Sequence, residues 1–128
     1  MVDASVLMLA LGEDTPKGVR ARVRLRGERL TAPEIIDLET LSAWRRYVLA
    51  GTMSVDRAHM AVRLLRRIPL RRAPHKYLIE RSWELRHNVT PYDAAYVALA
   101  EIYGVPLLTA DAALAAAPGP TCQFELLH

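Results

Sequence analysis

The sequence predicts an α/β fold with a parallel sheet, and three observations lead there. Short apolar runs of strand length alternate with longer stretches of helical pattern. Helix signals separate them: Thr15-Pro16, Ser54 and Thr90-Pro91 mark starts, and Gly27, Gly51 and Gly104 mark ends. Acidic residues follow the first and a late apolar run, at the carboxyl ends of strands where open α/β sheets collect ligands.

Taken in order, residues 1–3 read as a first strand and residues 5–11 as a helix. Thr15 caps a helix that runs to about Arg26. Residues 29–32 form a candidate second strand. Pro33 then opens a helix over residues 34–50, and Ser54 caps another that ends near Arg67. Residues 68–72 are a third strand, and residues 75–87 read as one helix. Residues 90–103 are the best-marked helix, with Gly104 just past its end. Residues 105–109 form a strand and residues 111–117 a short helix. Pro118-Gly119-Pro120 breaks the chain before a last strand, residues 122–126. There is no repeat, long linker or low-complexity block, so one domain over residues 1–128 is expected.

Composition narrows the function classes. Hydrophobic residues make up 52% of the chain, too many for a disordered protein. No apolar run reaches the roughly 18 residues of a membrane helix. Asp3, Glu13 and Asp14 interrupt the region a signal peptide needs, so a bacterial-type cytoplasm is expected. Cys122 is the only cysteine, which excludes an intrachain disulfide. The net charge is +3; of 17 basic residues only Lys17 and Lys76 are lysine, leaving 15 arginines. Arginine presents a planar fork suited to phosphates and carboxylates, so the excess favours a polyanionic or acidic partner.

Four carboxylates stand out: Asp3, Glu39, Asp93 and Asp111. Each has an ordinary structural explanation. Asp3 could be a surface acid at a strand end, Asp111 an N-cap, and Asp93 part of a capping box with Thr90. Glu39 has Ile35, Ile36, Ser42 and Ala43 as helical neighbours, which puts it on or beside the buried stripe, with Glu34 and Asp37 more toward solvent. A buried Arg–Glu pair would account for it. A shared pocket explains all four positions at once. Clustered acids in a folded protein call for a cation, and a hard divalent ion such as Mg²⁺ prefers oxygen ligands. His59, His75, His87 and His128 lack metal-ligand spacing, and there is no Gly-rich phosphate loop. Trp44, Trp83, Tyr92 and Tyr96 read as core or interface. With Tyr103, the last three of these suggest more aromatic surface than one small core covers, and hence a homodimer.

These residues resemble the PIN-domain nucleases, and among them the VapC-type toxins of toxin–antitoxin pairs. The likeness rests on Val2-Asp3-Ala4-Ser5-Val6, on the stretch from Ala32 to Glu39, on Leu85 to Ala100 with its Tyr92-Asp93-Ala94-Ala95-Tyr96 core, and on Leu108-Thr109-Ala110-Asp111 with Leu114. The chain departs from the family in having fewer apolar residues before its first Asp. The resemblance implies a Rossmann-like three-layer α/β/α sandwich with a mostly parallel sheet. It implies a metal site of Asp3, Glu39, Asp93 and Asp111, flanked by Ser5 and Thr109 and holding Mg²⁺ or Mn²⁺. It further implies endonuclease action on structured RNA such as tRNA or rRNA, and a VapB-type antitoxin partner.

Two other classes compete. A non-catalytic RNA-binding module with the same fold would not need all four acids. A phosphoacceptor signalling domain wants a lysine near its late strands, and no lysine follows Lys76.

Overall fold

A computed structural model describes all of Met1–His128. The elements are α1 (Ala4–Gly12), α2 (Pro16–Leu25), β1 (Leu30–Pro33), α3 (Ile35–Leu49), α4 (Val55–Arg67), β2 (Leu70–Ala73), a 3₁₀ turn (Lys76–Leu78), α5 (Ile79–Glu84), α6 (Pro91–Tyr103), β3 (Leu107–Thr109), α7 (Ala112–Ala115) and β4 (Phe124–Leu126). No helix is long and apolar enough to cross a membrane.

The expected first strand contracts to a single residue. Val2 makes a parallel bridge to Leu108, and its amide donates to the Thr31 carbonyl at 3.2 Å. It thereby joins two parallel pairs, β1 with β2 and β3 with β4, into one continuous surface. The strand cannot run on past Val2 because Asp3 already caps α1. The capping signals at Thr15, Ser54 and Thr90 act as read, each side chain accepting an amide of its own helix. Gly104 takes the left-handed conformation (φ 63°) that ends α6.

Two further expectations need correction. The helix expected over residues 75–87 is broken into the 3₁₀ turn and the short α5, with turns beyond it. The third strand begins two residues later than read and ends one later, at Leu70–Ala73, because Pro69 has no amide for the ladder.

The helices form two layers around the sheet. On one side α1 packs against α2, α3 and α4; on the other α6 packs against α5. This is the α/β/α sandwich. The main core joins Val2, Val6, Leu7, Ile36, Trp44, Tyr96 and Leu107, drawing on both layers and the strands. Every residue of α6 from Ala94 to Ala100 is buried, so this helix is enclosed rather than amphipathic.

Within the first layer, α2 meets the turn that leads into it at Gly18. A Cβ on Gly18 would lie 2.1 Å from the Glu13 carbonyl oxygen. Helix propensity alone would make Gly18→Ala stabilising by up to about 1 kcal/mol. The obstacle is backbone, which cannot rotate away, so overpacking wins. We expect Gly18→Ala to destabilise by roughly 1–3 kcal/mol in urea unfolding. A stabilised variant would show that the contact between the α1–α2 turn and α2 is loose.

Candidate functional site

Because Val2 is fixed in the sheet, the chain turns into α1 at Asp3. That side chain is both a helix cap and a wall of the site. Its Oδ1 accepts from the Val6 amide at 3.2 Å and from the Ser5 hydroxyl at 2.5 Å, and its Oδ2 accepts from the Thr109 hydroxyl. Thr109 ends β3 and is fully buried. Its oxygen in turn accepts from the Asp111 amide at 3.0 Å, while the Ser5 oxygen accepts from the Ala110 amide at 2.8 Å. This mesh joins the start of α1 to the turn after β3. Burial pushes the Asp3 carboxyl up to about 6; the hydrogen bonds of Ser5, Thr109 and Val6 oppose the shift, and the charge of Asp93 adds to it.

Asp111 is an N-cap as well. Its Oδ1 accepts from the Ala113 and Leu114 amides at 2.9 and 3.3 Å, and its Oδ2 has no protein partner. Asp93 stands in the first turn of α6, its amide bonded to the Thr90 hydroxyl oxygen at 3.2 Å. Its carboxyl is raised first by burial and then by the charge of Asp111, against the Thr90 hydroxyl. Glu39 belongs to α3 and is half-buried. Its partner is not the arginine that the sequence allowed. Tyr96, one turn after Asp93, donates its hydroxyl to Glu39 Oε1 at 2.6 Å. Burial raises the Glu39 carboxyl, Asp93 adds to the shift, and the Tyr96 hydrogen bond opposes it.

The acid paired with arginine on α3 is Asp37, expected nearer solvent. Arg72 donates to its Oδ2 at 2.7 Å, and the other carboxylate oxygen is buried without a partner. The Arg72 guanidinium also donates to the Leu65 and Leu70 carbonyls, so this pair fastens α3 to β2 and to the end of α4. It does not line the cleft.

The structure brings all four predicted acids into one cleft of about 650 Å³, walled by the starts of α1 and α6, one face of α3 and the turn after β3. Ser5 also lines it, whereas Thr109 lies behind Asp3 as a buried support. Other residues line it that the sequence does not single out for the site, among them Tyr92, Tyr96 and Arg46. Tyr96 reads as core or interface, yet its spacing of three from Asp93 puts both on one helix face. It is 1% exposed, so it leaves the proposed aromatic surface to Trp83 (66%), Tyr92 (59%) and Tyr103 (44%). Arg46, seven residues after Glu39, lies on the same α3 stripe.

The charged donors in this cleft are hard oxygens, and no histidine or cysteine lines it. No three of them close into a compact coordination sphere. The donor chemistry itself suits a hard divalent cation that takes oxygen ligands and water. It does not suit Zn²⁺, which prefers a closed tetrahedral set of nitrogen and sulfur ligands.

The acids have a consequence for the metal-free protein. Asp3 binds its proton more tightly when folded than when unfolded, so its contribution is full below the unfolded value near 4 and is lost as pH rises through about 6. The loss is about 3 kcal/mol at neutral pH. In EDTA, unfolding free energy should fall between pH 4 and pH 7, and Asp3→Asn should remove most of that slope. An unchanged slope in the variant would refute the assignment to Asp3.

Comparison with known proteins agrees with this geometry. The family model described as PIN domain matches residues 1–120. Ribonuclease VapC1 of Mycobacterium tuberculosis is 43% identical over 129 aligned residues, spanning 100% of this chain and 97% of the relative. Ribonuclease VapC12 of the same organism is 40% identical, covering 88% of each chain. Ribonuclease VapC9 is 37% identical, covering 99% of this chain and 97% of the relative. With its fold, its acid-lined cleft and this near-full-length similarity, the chain belongs to the PIN-domain family and to the VapC group within it.

Proposed function

We propose that this protein is the toxin of a type II toxin–antitoxin pair, a divalent-metal-dependent endoribonuclease that hydrolyses a phosphodiester of structured RNA, tRNA or rRNA, by attack of water. The observation that carries the reading is the meeting of Asp3, Glu39, Asp93 and Asp111 in one cleft. The ribonuclease names of the relatives support it.

Asp3, Glu39, Asp93 and Asp111 would hold Mg²⁺, with Mn²⁺ as a substitute. When bound, such an ion lowers the pKa of water and neutralises charge on the phosphate. The chain's own residues do the positioning. Ser5, Thr109 and the Val6 amide fix Asp3, so its carboxylate needs no reordering when substrate arrives. Tyr96 holds Oε1 of Glu39 and leaves Oε2 for the cleft. The α7 amides hold Oδ1 of Asp111 and leave Oδ2 likewise. The partial charge of the α6 N-terminus favours the anionic form of Asp93. In-line attack by water with departure of the 3′ oxygen leaves 3′-hydroxyl and 5′-phosphate ends.

A VapB-type antitoxin would inhibit by setting a basic side chain among these acids, where an arginine fork pairs two carboxylate oxygens. Exposed Trp83, Tyr92 and Tyr103 support a homodimer.

Purified protein with Mg²⁺ should cleave total RNA, leaving 3′-hydroxyl ends on sequencing, and EDTA should stop it. Asp111→Asn, at an exposed position, should lower the rate by orders of magnitude with native far-UV circular dichroism, and Asp3→Asn should do the same. Full activity in either variant contradicts the site. Mg²⁺ at a hundredfold excess over its Kd should stabilise the fold by about 2.7 kcal/mol, and more at pH 8 than at pH 5, where protons compete. A melting temperature indifferent to saturating metal at pH 8 contradicts a cation site. Co-expression with the adjacent antitoxin gene should relieve growth arrest and yield a co-purifying complex, and light scattering should return a dimer mass for the free protein. Persistent arrest counts against the pairing, and a monomer mass against the dimer.

A further inference from the structure

Arg46 is the one cation that lines the acidic cleft. It lies two helical turns from Glu39 on the same face of α3, about 10 Å along the axis. Four acids share that cleft, yet Arg46 forms no ion pair, whereas Arg24, Arg57, Arg72 and Arg81 each pair with a carboxylate. Its only side-chain hydrogen bond is a long one, Nη1 to Ser42 Oγ at 3.4 Å. The guanidinium therefore retains nearly all of its donors.

A basic residue in the last turn of a helix interacts favourably with the helix dipole. Arg46 is the basic residue of that turn in α3, so the dipole accounts for a cation at this level of the helix, but not for one that lines an acidic cleft without pairing with any of its acids. The electrostatics of the substrate do. An acid-lined cleft repels a polyanion. A bound cation offsets this at the reacting phosphate, but phosphates on either side still meet the carboxylates' field. An arginine at the rim, away from the acids and with a free planar fork, is suited to hold one of those phosphates.

Resting on the ribonuclease reading above, we propose that Arg46 is a substrate-contact residue that binds the non-bridging oxygens of a phosphate flanking the scissile one, on the α3 side of the cleft. It sets the direction in which the strand leaves the site.

The test measures binding of a fluorescein-labelled RNA hairpin to the Asp111→Asn protein in Mg²⁺, across a salt series. One phosphate contact contributes about 0.7 to the slope of log Kd against log salt for a single strand. Adding Arg46→Gln should reduce the slope by about 0.7 and weaken binding about fivefold near 0.1 M salt. Arg46→Lys should restore the slope, because the charge returns. Arg66→Gln, an exposed arginine on α4 outside the cleft, should leave it unchanged. Melting curves show that each variant is folded. In wild-type background, Arg46→Gln should raise KM more than it lowers kcat. An unchanged slope with Arg46→Gln, or an equal loss with Arg66→Gln, overturns the proposal while leaving the ribonuclease reading intact. If the parent protein does not bind the hairpin and wild type does not cleave RNA, both fall together.

Discussion

The Asp3 carboxylate, gripped by Ser5, Thr109 and the Val6 amide, joins the beginning of the chain to the turn after β3. One side chain caps α1, ties that helix to the end of β3, and presents a charge at the carboxyl edge of the sheet. Removing the Thr109 hydroxyl would leave a buried carboxylate oxygen short of a partner, at a cost of about 1–3 kcal/mol. The rest of the cleft is built outward from this point. Asp111 follows Thr109 by two residues, and its amide bonds to the Thr109 oxygen.

The acids are arranged against their own repulsion. Burial and neighbouring charge raise the carboxyls of Asp3, Glu39 and Asp93 together. Hydrogen bonds from Ser5, Thr109 and Tyr96 recover only part of that. A cation would relieve that imbalance, which supports the cation-binding reading carried by the meeting of the four acids in one cleft. Arg46 does not relieve it, since it pairs with none of them.

Much of this was legible in the residues. Helix boundaries at Thr15, Ser54, Thr90 and Gly104 follow from local chemistry, and the structure keeps them. Asp111 is the N-cap its position suggested, whereas Asp3, legible only as a possible surface acid, is a buried N-cap; both line the cleft, because a cap at a strand's carboxyl end already points into the crevice. What escaped depends on tertiary contact. Glu39 and Asp37 lie two residues apart on one helix, and only the packing of α6 and β2 decides that one meets Tyr96 and the other Arg72. Likewise the break after residue 75 arises where His75 Nε2 accepts from the Ile35 amide at 3.0 Å, a long-range bond that helical pattern does not encode.

The central claim is that four carboxylates act as one cation site. Its most direct measurement is Mn²⁺ binding by electron paramagnetic resonance in RNA-free protein, for wild type and for Asp3→Asn, Glu39→Gln, Asp93→Asn and Asp111→Asn. The account predicts saturable binding in wild type that every single variant weakens, with Mg²⁺ competing for the same site. Binding that is absent in wild type, or that survives unchanged in Asp3→Asn and Asp111→Asn, would contradict it.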